Sequence, residues 1–240
     1  MPPGIVILTG AGISKESGID TFRDKDGLWT RVDLEEVATL DAWHRDKKKV
    51  LDFYNETRRQ FRAAHVEPNA AHRALAHLER QYLGEVTVVT QNIDTLHEAA
   101  GSRHVLHMHG RDGEVRCMNC DKVDASDIDL TPQSACPHCG SVGELRPNIV
   151  WFGEMPHHMD EIHAALERCG LFLSIGTSGE VYPAAGFVLH VRRRAPRART
   201  VELNLEATGN QPLFHEHIYG PATEVVPRYI ERVLAGRWQY

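Results

Sequence analysis

Four cysteines in the middle of the chain have the spacing of a metal site. The pairs are Cys117-x2-Cys120 and Cys136-Pro-His-Cys139, with fifteen residues between them. Paired C-x2-C turns at this separation are typical of zinc sites, because two such turns supply the four thiolates of a tetrahedron. A disulfide framework is the alternative, which a reducing compartment disfavours. Since four thiolates leave no open coordination position, we expect one structural zinc ion.

A glycine-rich segment near the start of the chain could bind phosphate. The apolar run 5–8 leads directly into Gly10-Ala11-Gly12-Ile13-Ser14. Glycines after a buried strand let backbone N–H groups and the start of a following helix approach an anion closely. The usual dinucleotide fingerprint is incomplete, because Lys15 stands at its third glycine position. By itself the segment fits an ordinary tight turn equally well.

Two amides and a carboxylate are grouped in Thr90-Gln91-Asn92-Ile93-Asp94. This segment follows the apolar run 86–89, and doubly wound sheets bind ligands at the carboxyl ends of their strands. The grouping could hold a polar ligand such as a carboxamide or a ribose. The alternative is that Asp94 caps the helix that follows.

A cluster of histidines lies just ahead of the cysteine segment, at His104, His107 and His109. An imidazole can act as a general base near neutral pH. For any one histidine a structural or solvated role is the alternative. We favour His109 as the base, because a glycine follows it at a lobe junction, where clefts form.

The elements that must position these groups alternate along the chain. Apolar runs predict strands at residues 5–8, 86–89, 103–106, 171–175 and 200–203. Helical patterns cover residues 42–62, 70–81, 93–99, 159–168, 184–193 and 229–234. Such alternation indicates an α/β fold with a Rossmann-like, doubly wound parallel sheet. Residues 113–142 break the rhythm, so we expect a small zinc-binding lobe there.

The composition is that of an ordinary globular protein. Hydrophobic residues make up 42% of the 240 residues, and the net charge is −6, so bulk charge gives no reason to bind nucleic acid or anionic membranes. No apolar run reaches the ~18 residues that span a bilayer. Because the first strand begins almost at Met1, we expect no signal peptide. We therefore expect a cytoplasmic monomer with no nucleic-acid or membrane partner.

Taken together, these motifs resemble the sirtuins, which are NAD-dependent protein lysine deacylases. The resemblance spans nearly the whole chain in the family's order, and it is closest to the bacterial CobB type. Asp20 is a departure, since many members carry proline there. Besides the segments above, the matching motifs are Ser17-Gly18-Ile19, Thr21-Phe22-Arg23, Gly27-Leu28-Trp29, Leu145-Arg146-Pro147, Ile149-Val150-Trp151-Phe152-Gly153-Glu154, Ile175-Gly176-Thr177-Ser178 and Glu202-Leu203-Asn204.

The resemblance implies a role for each matching residue. It assigns the acylated lysine to Tyr54, Val150, Trp151, Phe152, Gly153 and Glu154, and catalysis to His109, Asn92 and Asp94. It assigns NAD to Gly10, Ala11, Gly12, Ile13, Ser14, Thr21, Phe22, Arg23, Trp29, Gln91, Asn92, Ile93, Asp94, Gly176, Thr177, Ser178, Asn204, Leu205, Glu206 and Ala222. A single catalytic domain is implied, with a large lobe at 1–110 and 145–240. The zinc lobe would lie at about 111–144, with part of a helical insertion at 30–65.

The implied chemistry consumes NAD rather than reducing it. The acyl oxygen attacks C1′ of the nicotinamide ribose as nicotinamide leaves, and His109 removes a proton from a ribose hydroxyl. Positive charge develops at C1′, where the carboxylate of Asp94 and the nearby amides would stabilise it. Water then releases O-acyl-ADP-ribose and free lysine. Residues 150–154 would pair edge-on with the substrate backbone.

The preferred acyl group is open. Family members that favour succinyl or malonyl lysine hold the acyl carboxylate with a Tyr-x-x-Arg pair. Here Tyr54 matches, but Thr57 stands at the arginine position and Arg58 follows it. Residues three and four apart share a helix face, so Arg58 could reach the acyl pocket. The alternative is that Arg58 and Arg59 belong to a solvated, charged face.

Other functions predict different features. A hydride-transferring oxidoreductase would need the missing glycine and would not explain the cysteines. A non-enzymatic zinc-ribbon module that binds nucleic acid would need a dense basic stripe around the cysteines. Protein mono-ADP-ribosylation on the same fold is the nearest alternative, because a protein side chain could capture the same electrophilic sugar.

Overall fold

The computed structural model describes residues 2–19 and 33–238. The chain divides into two compact units. The first comprises Met1–Thr21, Glu67–Met108 and His158–Tyr240, and the second comprises Phe22–Val66 and His109–His157.

The described residues contain the strands that the sequence alternation predicts, together with four strands that it does not predict. The strands are β1 (Gly4–Thr9), β2 (Val86–Thr90), β3 (Val105–His107), β4 (Gly110–Cys117), β5 (Val123–Ala125), β6 (Leu145–Ile149), β7 (Cys169–Ile175), β8 (Arg199–Asn204) and β9 (Glu216–Tyr219). The α-helices are α1 (Leu40–Arg45), α2 (Lys47–Ala63), α3 (Ala70–Gln81), α4 (Leu96–Ala99), α5 (Met159–Arg168), α6 (Phe187–Arg194) and α7 (Ala222–Leu234). Within this described part of the chain, no helix is long and apolar enough to cross a bilayer.

The first unit is built on a parallel sheet with the strand order β3-β2-β1-β7-β8-β9. The chain runs outward from β1 to β3 and then returns to build the other half from β7 to β9. The direction of winding therefore reverses between β1 and β7, which is where sheets of this kind bind ligands. The predicted doubly wound sheet is confirmed.

Both faces of this sheet are covered, as the unbroken apolar runs of its strands require. Ile5 and Ile7 of β1 pack with α3 and α7 in one buried cluster. Val6 and Leu8 pack with α5 and α6 in the other. Successive side chains of β1 therefore enter two different buried clusters. Packing on both faces holds the carboxyl end of β1 in place.

Several helix boundaries differ from the sequence prediction. The predicted helix 42–62 is two helices, because the Asp46 side chain accepts the Lys49 N–H and starts α2 anew. The predicted helix 93–99 begins only at Leu96. Helix α7 begins at Ala222, seven residues earlier than predicted, since Val225 and Val226 are buried in the core.

The second unit contains an antiparallel sheet with the order β5-β4-β6. Its short strands carry many polar residues, and the sequence analysis did not predict them. Polar contacts along α2 hold the segment that precedes the second cysteine pair. The Asn55 amide bonds both the N–H and the carbonyl of Leu130, and Arg59 and Arg62 pair with Asp129 and Asp127.

Candidate active site

Three glycines allow the loops that follow β1 and β7 to pack closely against each other. The N–H of Gly12 donates to the carbonyl of Gly176 at 2.8 Å. A Cβ atom at Gly12 would lie 2.7 Å from the Gly176 Cα, and one at Gly10 would lie 2.8 Å from the Gly176 oxygen. Gly176 itself has a φ of +61°, which favours glycine. Close packing of the two loops is therefore one reason for the glycines. The segment after Gly10 forms short 3-10 turns, not the α-helix start that the sequence suggested.

Side chains from three strand ends meet beside these loops. The Gln91 amide, after β2, donates to the Thr177 hydroxyl at 3.0 Å. The Asn204 amide, at the end of β8, donates to the Thr177 carbonyl at 3.0 Å. The structure thus brings together the predicted NAD residues of the loops after β1, β2, β7 and β8.

A buried hydrogen-bond network joins the first loop to Asn92 and Asp94. The Asn92 amide donates to the Gly10 carbonyl and to the Ser14 hydroxyl, both at 3.1 Å. The Ser14 hydroxyl donates in turn to the Asp94 carboxylate at 2.9 Å. Because Ser14 and Asn92 are almost fully buried, these bonds fix the side chains in one arrangement.

Of the two roles that the sequence left open for Asp94, the structure shows the helix cap. One carboxylate oxygen accepts the Leu96 N–H at 3.0 Å, which caps the short helix α4, and the other accepts the Ser14 hydroxyl. Burial raises the pKa of Asp94, while the Leu96 and Ser14 donors oppose that rise. The capping bond also explains why α4 begins at Leu96.

Two buried histidines lie under this network. The His72 Nδ1 accepts the Asn69 N–H, so its Nε2 carries the proton and faces the Ser14 hydroxyl at 3.5 Å. His97 packs edge-on against His72, and its Nε2 contacts the Thr9 hydroxyl at 3.0 Å. Burial lowers the pKa of His72 to about 4 and that of His97 to about 3. Both are therefore neutral at physiological pH.

These two histidines are not among the residues that the sequence predicts to be functional. A signal was present for His72, because Asn69 and His72 stand at the N-cap and third positions of α3. Together they form a capping box, although histidine replaces the usual Glu or Gln. No comparable pattern marks His97.

The remaining predicted NAD residues are spread along the same edge. Leu205 is exposed and its N–H donates to the Asn204 side chain. Ala222 begins α7, whose next residue, Thr223, gives its N–H and hydroxyl to the Glu16 carboxylate at 3.0 and 2.6 Å. Ile93 and Ser178 are half-buried, and Glu206 is exposed. Thr21, Phe22, Arg23 and Trp29, and the departure at Asp20, lie outside the described residues.

In the second unit, the backbone of His109 is tied to the predicted substrate segment. The His109 carbonyl accepts the Val150 N–H at 2.9 Å. A Cβ atom at Gly110 would lie 1.9 Å from the Asn148 oxygen, and Gly110 has a φ of +84°. Only glycine fits there, so the His109–Gly110 pair fixes the base candidate at the start of β4.

An aromatic cluster supports the rest of the substrate segment. The Trp151 indole N–H donates to the Tyr54 hydroxyl at 2.9 Å, and the Arg146 guanidinium stacks 3.7 Å from the Trp151 ring centre. The Glu154 carboxylate accepts from Arg146 and from the Trp151 N–H, both at 2.8 Å. Burial raises the pKa of Tyr54, so its hydroxyl stays protonated. In contrast, the Phe152 side chain is 60% exposed.

Arg58 is buried and engaged. Its side chain is 3% exposed and lies 3.7 Å from the Asp112 carboxylate. One terminal nitrogen donates to the Ile128 carbonyl at 2.7 Å. The alternative of a solvated face therefore holds for Arg59, which is 57% exposed, and is wrong for Arg58.

The four cysteines fit a zinc ion. All four sulfurs lie within 4.8 Å of one another, and the pairs Cys117–Cys139 and Cys120–Cys136 are 3.7 Å apart. Four sulfurs that are each about 2.3 Å from one zinc ion lie about 3.8 Å apart in a regular tetrahedron. Cys117, Cys120, Cys136 and Cys139 would therefore hold the ion with little rearrangement.

The edge of the parallel sheet likewise fits a dinucleotide. The Asn92 side-chain oxygen is buried and has no hydrogen-bond partner within residues 2–19 and 33–238. A buried acceptor without a partner is costly, and a bound polar group would satisfy it. The interlocked loops and the Gln91 and Asn204 amides supply further polar atoms at the winding reversal.

Comparison with known proteins agrees with this geometry. A family model described as "Sir2 family" matches residues 10–183. NAD-dependent protein deacylases from Bdellovibrio bacteriovorus and Escherichia coli (strain K12) are 54% and 50% identical. They cover 96% and 98% of this chain, and the matches span 96% and 83% of those proteins.

Solved structures match over the same length. A Sir2 homologue mutant in complex with ADP-ribose has a TM-score of 0.86 and 40% identity, covering 97% of this chain and 92% of that one. A Sir2 mutant with a deacetylated p53 peptide and 3′-O-acetyl ADP-ribose has a TM-score of 0.80 and 32% identity, covering 96% and 93%. The chain therefore belongs to the Sir2 family.

Proposed function

We propose that this protein is an NAD-dependent protein lysine deacylase that releases nicotinamide and O-acyl-ADP-ribose. The observation that carries the proposal is the buried network of Ser14, Asn92 and Asp94 at the winding reversal of the sheet. The names of the relatives support it, as do the ADP-ribose and acetyl-ADP-ribose of the matched structures. When bound, NAD supplies the glycosidic bond that breaks and the ribose that accepts the acyl group.

The side chains of the first unit would orient this chemistry. The buried Asp94 carboxylate is aimed by Ser14 and Leu96, and it would stabilise the positive charge that develops at the ribose. Asn92 would present its unpaired oxygen to the same region. Neither side chain needs to reorganise, because the network holds both in place beforehand.

His109 would act as the general base that takes a proton from a ribose hydroxyl. A histidine suits this step because its ordinary pKa of about 6.5 lies near neutral pH. Its backbone bond to Val150 ties the base to the segment that would carry the acylated lysine. The base and the substrate segment would thus lie at the same end of the antiparallel strand pair β4 and β6.

The substrate backbone would pair at Gly153. Within the segment 150–154, the N–H groups of Val150, Phe152 and Glu154 are used by other backbone carbonyls, and that of Trp151 by the Glu154 side chain. Across the described chain, no partner accepts the Gly153 N–H, which makes it the available donor for an extended peptide. Exposed Phe152 would then contact the peptide beside it.

We propose that neutral acyl groups are preferred to succinyl and malonyl groups. The guanidinium of Arg58 is already held by Asp112 and the Ile128 carbonyl. Its use as a carboxylate clamp would break both contacts inside a buried site. The cytoplasmic location, the monomeric state, the single catalytic domain and its lobe limits stay predictions.

A single assay series tests the function. The purified protein is incubated with NAD and matched acetyl-, succinyl- and longer-acyl-lysine peptides, and products are measured by mass spectrometry. We expect deacylated peptide and O-acyl-ADP-ribose, with no absorbance from reduced nicotinamide. ADP-ribose attached to protein side chains, with acyl groups left intact, would instead indicate mono-ADP-ribosylation.

A further inference from the structure

His107 lies where β3 ends, inside the first unit, and it has two close polar contacts. Its Nδ1 lies 3.1 Å from the Asn92 backbone carbonyl, and its Nε2 lies 2.7 Å from the Glu98 carboxylate. The residue is only 7% exposed. Neither contact was anticipated from the sequence, where His107 was grouped with His104 and His109.

The partners of this ring assign one of its protons. A backbone carbonyl can only accept, so Nδ1 donates to Asn92. The other ring nitrogen, Nε2, faces the Glu98 carboxylate. His107 therefore bridges the Asn92 carbonyl and the Glu98 side chain of α4.

This bridge completes the anchoring of Asn92. The Asn92 N–H donates to the Thr90 hydroxyl at 3.1 Å, and its side chain bonds the Gly10 carbonyl and Ser14. His107 holds the remaining backbone group, the carbonyl. With all of these groups fixed, the Asn92 side chain can direct its unpaired oxygen in only one direction.

Acidic and basic groups from two elements face His107 in the described part of this unit. Glu98 and His97 come from α4, and Asp94 comes from the loop ahead of it. Burial raises the pKa of Asp94, and the nearby His107 opposes that rise. Burial lowers the pKa of His97, so its ring stays neutral.

We propose that His107 is a positioning residue for the deacylation reaction, which bridges Glu98 and the Asn92 carbonyl so that Asn92 and Asp94 keep their places. The inference about reaction rests on the proposed function. The two contacts of His107 do not, and they can be measured without turnover.

Nitrogen-15 NMR of histidine-labelled protein tests these contacts. The His107 signals are identified by their absence in a His107→Gln variant. In the wild type we expect Nδ1 of His107 to carry a proton, because it faces the Asn92 carbonyl. Glu98→Gln should shift the Nε2 signal, because that nitrogen contacts the Glu98 carboxylate, and should leave Nδ1 protonated. A wild-type ring whose Nδ1 carries no proton would overturn the proposal.

Kinetics with NAD and an acetyl-lysine peptide test the positioning role. His107→Leu removes the donor to the Asn92 carbonyl and the contact with the Glu98 carboxylate, so we expect kcat to fall roughly tenfold to a hundredfold. The peptide KM should stay within twofold. His107→Asn, whose amide N–H can still donate to the Asn92 carbonyl, should recover part of kcat. A purely structural role would lower Tm in step with kcat, and equal losses of kcat in the two variants would count against the positioning role.

His104→Gln is the matched control. His104 also contacts a glutamate, Glu161 at 3.2 Å, but it is half-exposed and bonds Thr87 rather than Asn92. We expect its kcat to stay within twofold of wild type. Equal losses in His104→Gln and His107→Leu would reject the positioning role. An inactive wild type would instead reject the proposed function and leave the NMR result intact.

Discussion

His109 is the residue on which the proposed chemistry depends most. We expect His109→Ala to lose at least a hundredfold in deacylation, since general bases contribute roughly that much or more. Zinc content and folding should persist, because the substitution keeps the backbone carbonyl that bonds Val150 and leaves Gly110 in place. The measurement is the rate of acetyl-peptide turnover at saturating NAD. Turnover within a few-fold of wild type would show that another group is the base.

The expected acyl preference also depends on a single residue, Arg58. We expect wild-type kcat/KM to be at least tenfold higher for an acetyl-lysine peptide than for its succinyl counterpart, because the Arg58 guanidinium is already engaged by Asp112 and the Ile128 carbonyl. Arg58→Ala should lower both values alike by disturbing the contact with Asp112. A loss confined to the succinyl peptide would show that Arg58 grips the acyl carboxylate.

The neutral pair His72 and His97 makes stability depend on pH. In the unfolded chain each imidazole takes up a proton below pH about 6.5, whereas folded His72 resists protonation down to about pH 4. The contribution of neutral His72 to the free energy of unfolding is therefore complete above pH 6.5 and is lost as the pH falls. At about 1.4 kcal/mol per pKa unit, His72 alone accounts for about 3 kcal/mol between pH 6.5 and 4.

Denaturant unfolding at pH 7, 6 and 5 measures this dependence. We expect the decline of the free energy of unfolding with falling pH to be shallower in His72→Gln than in wild type. Zinc release at low pH affects both proteins alike and leaves the difference between them. Equal slopes would contradict a buried, neutral His72.

At the scale of elements, the first turn of α7 is capped by a side chain from a distant loop. Its N-cap residue is Pro221, and no side chain of the helix caps its first turn. The Glu16 carboxylate accepts the N–H and hydroxyl of Thr223 instead. We expect Glu16→Ala to lower Tm by roughly 2–4 °C, the usual effect of losing a cap. It should also raise the KM for NAD, since this bond joins the glycine loop to α7.

Glu224→Ala is the control for that variant. Glu224 is exposed in the same turn and lies 3.7 Å from Arg228. Its Tm and KM should stay close to wild type. A combined Glu16→Ala and Thr223→Val variant should be no worse than Glu16→Ala alone, and additive losses would show that the two residues do not act as a pair.

An element could be predicted where its own sequence defines it, and could not where residues far away in the chain define it. Five of the six strands of the parallel sheet were predictable because burial on both faces requires continuous apolar runs, as at Ile5 to Leu8. The edge strand β9 was not, because alternate residues along it are exposed and no apolar run marks it. Strands β4 to β6 were not, because the metal site and α2 organise them. The break at Asp46 depends on one side-chain cap. His72 contacts Ser14, and His107 contacts Asn92, across 58 and 15 residues of sequence. No local pattern reveals these two contacts.

At the scale of the whole molecule, the second unit should depend on its metal ion. Few apolar residues are buried around the cysteines, so zinc binding would supply much of the folding free energy there. We expect a strong chelator to remove hydrogen-exchange protection from β4 to β6 while β1, β2, β7 and β8 stay protected. Loss of protection in all strands at once would show that the metal stabilises both units equally.

Stoichiometry tests the central claim most directly. The purified protein is given NAD and an acetyl-lysine peptide, and nicotinamide, deacetylated peptide and O-acetyl-ADP-ribose are quantified in the same samples over time. We predict one nicotinamide and one O-acetyl-ADP-ribose for every acetyl group removed, with none formed when NAD is withheld. Deacetylation without NAD, or NAD cleavage with the peptide unchanged, would contradict the account.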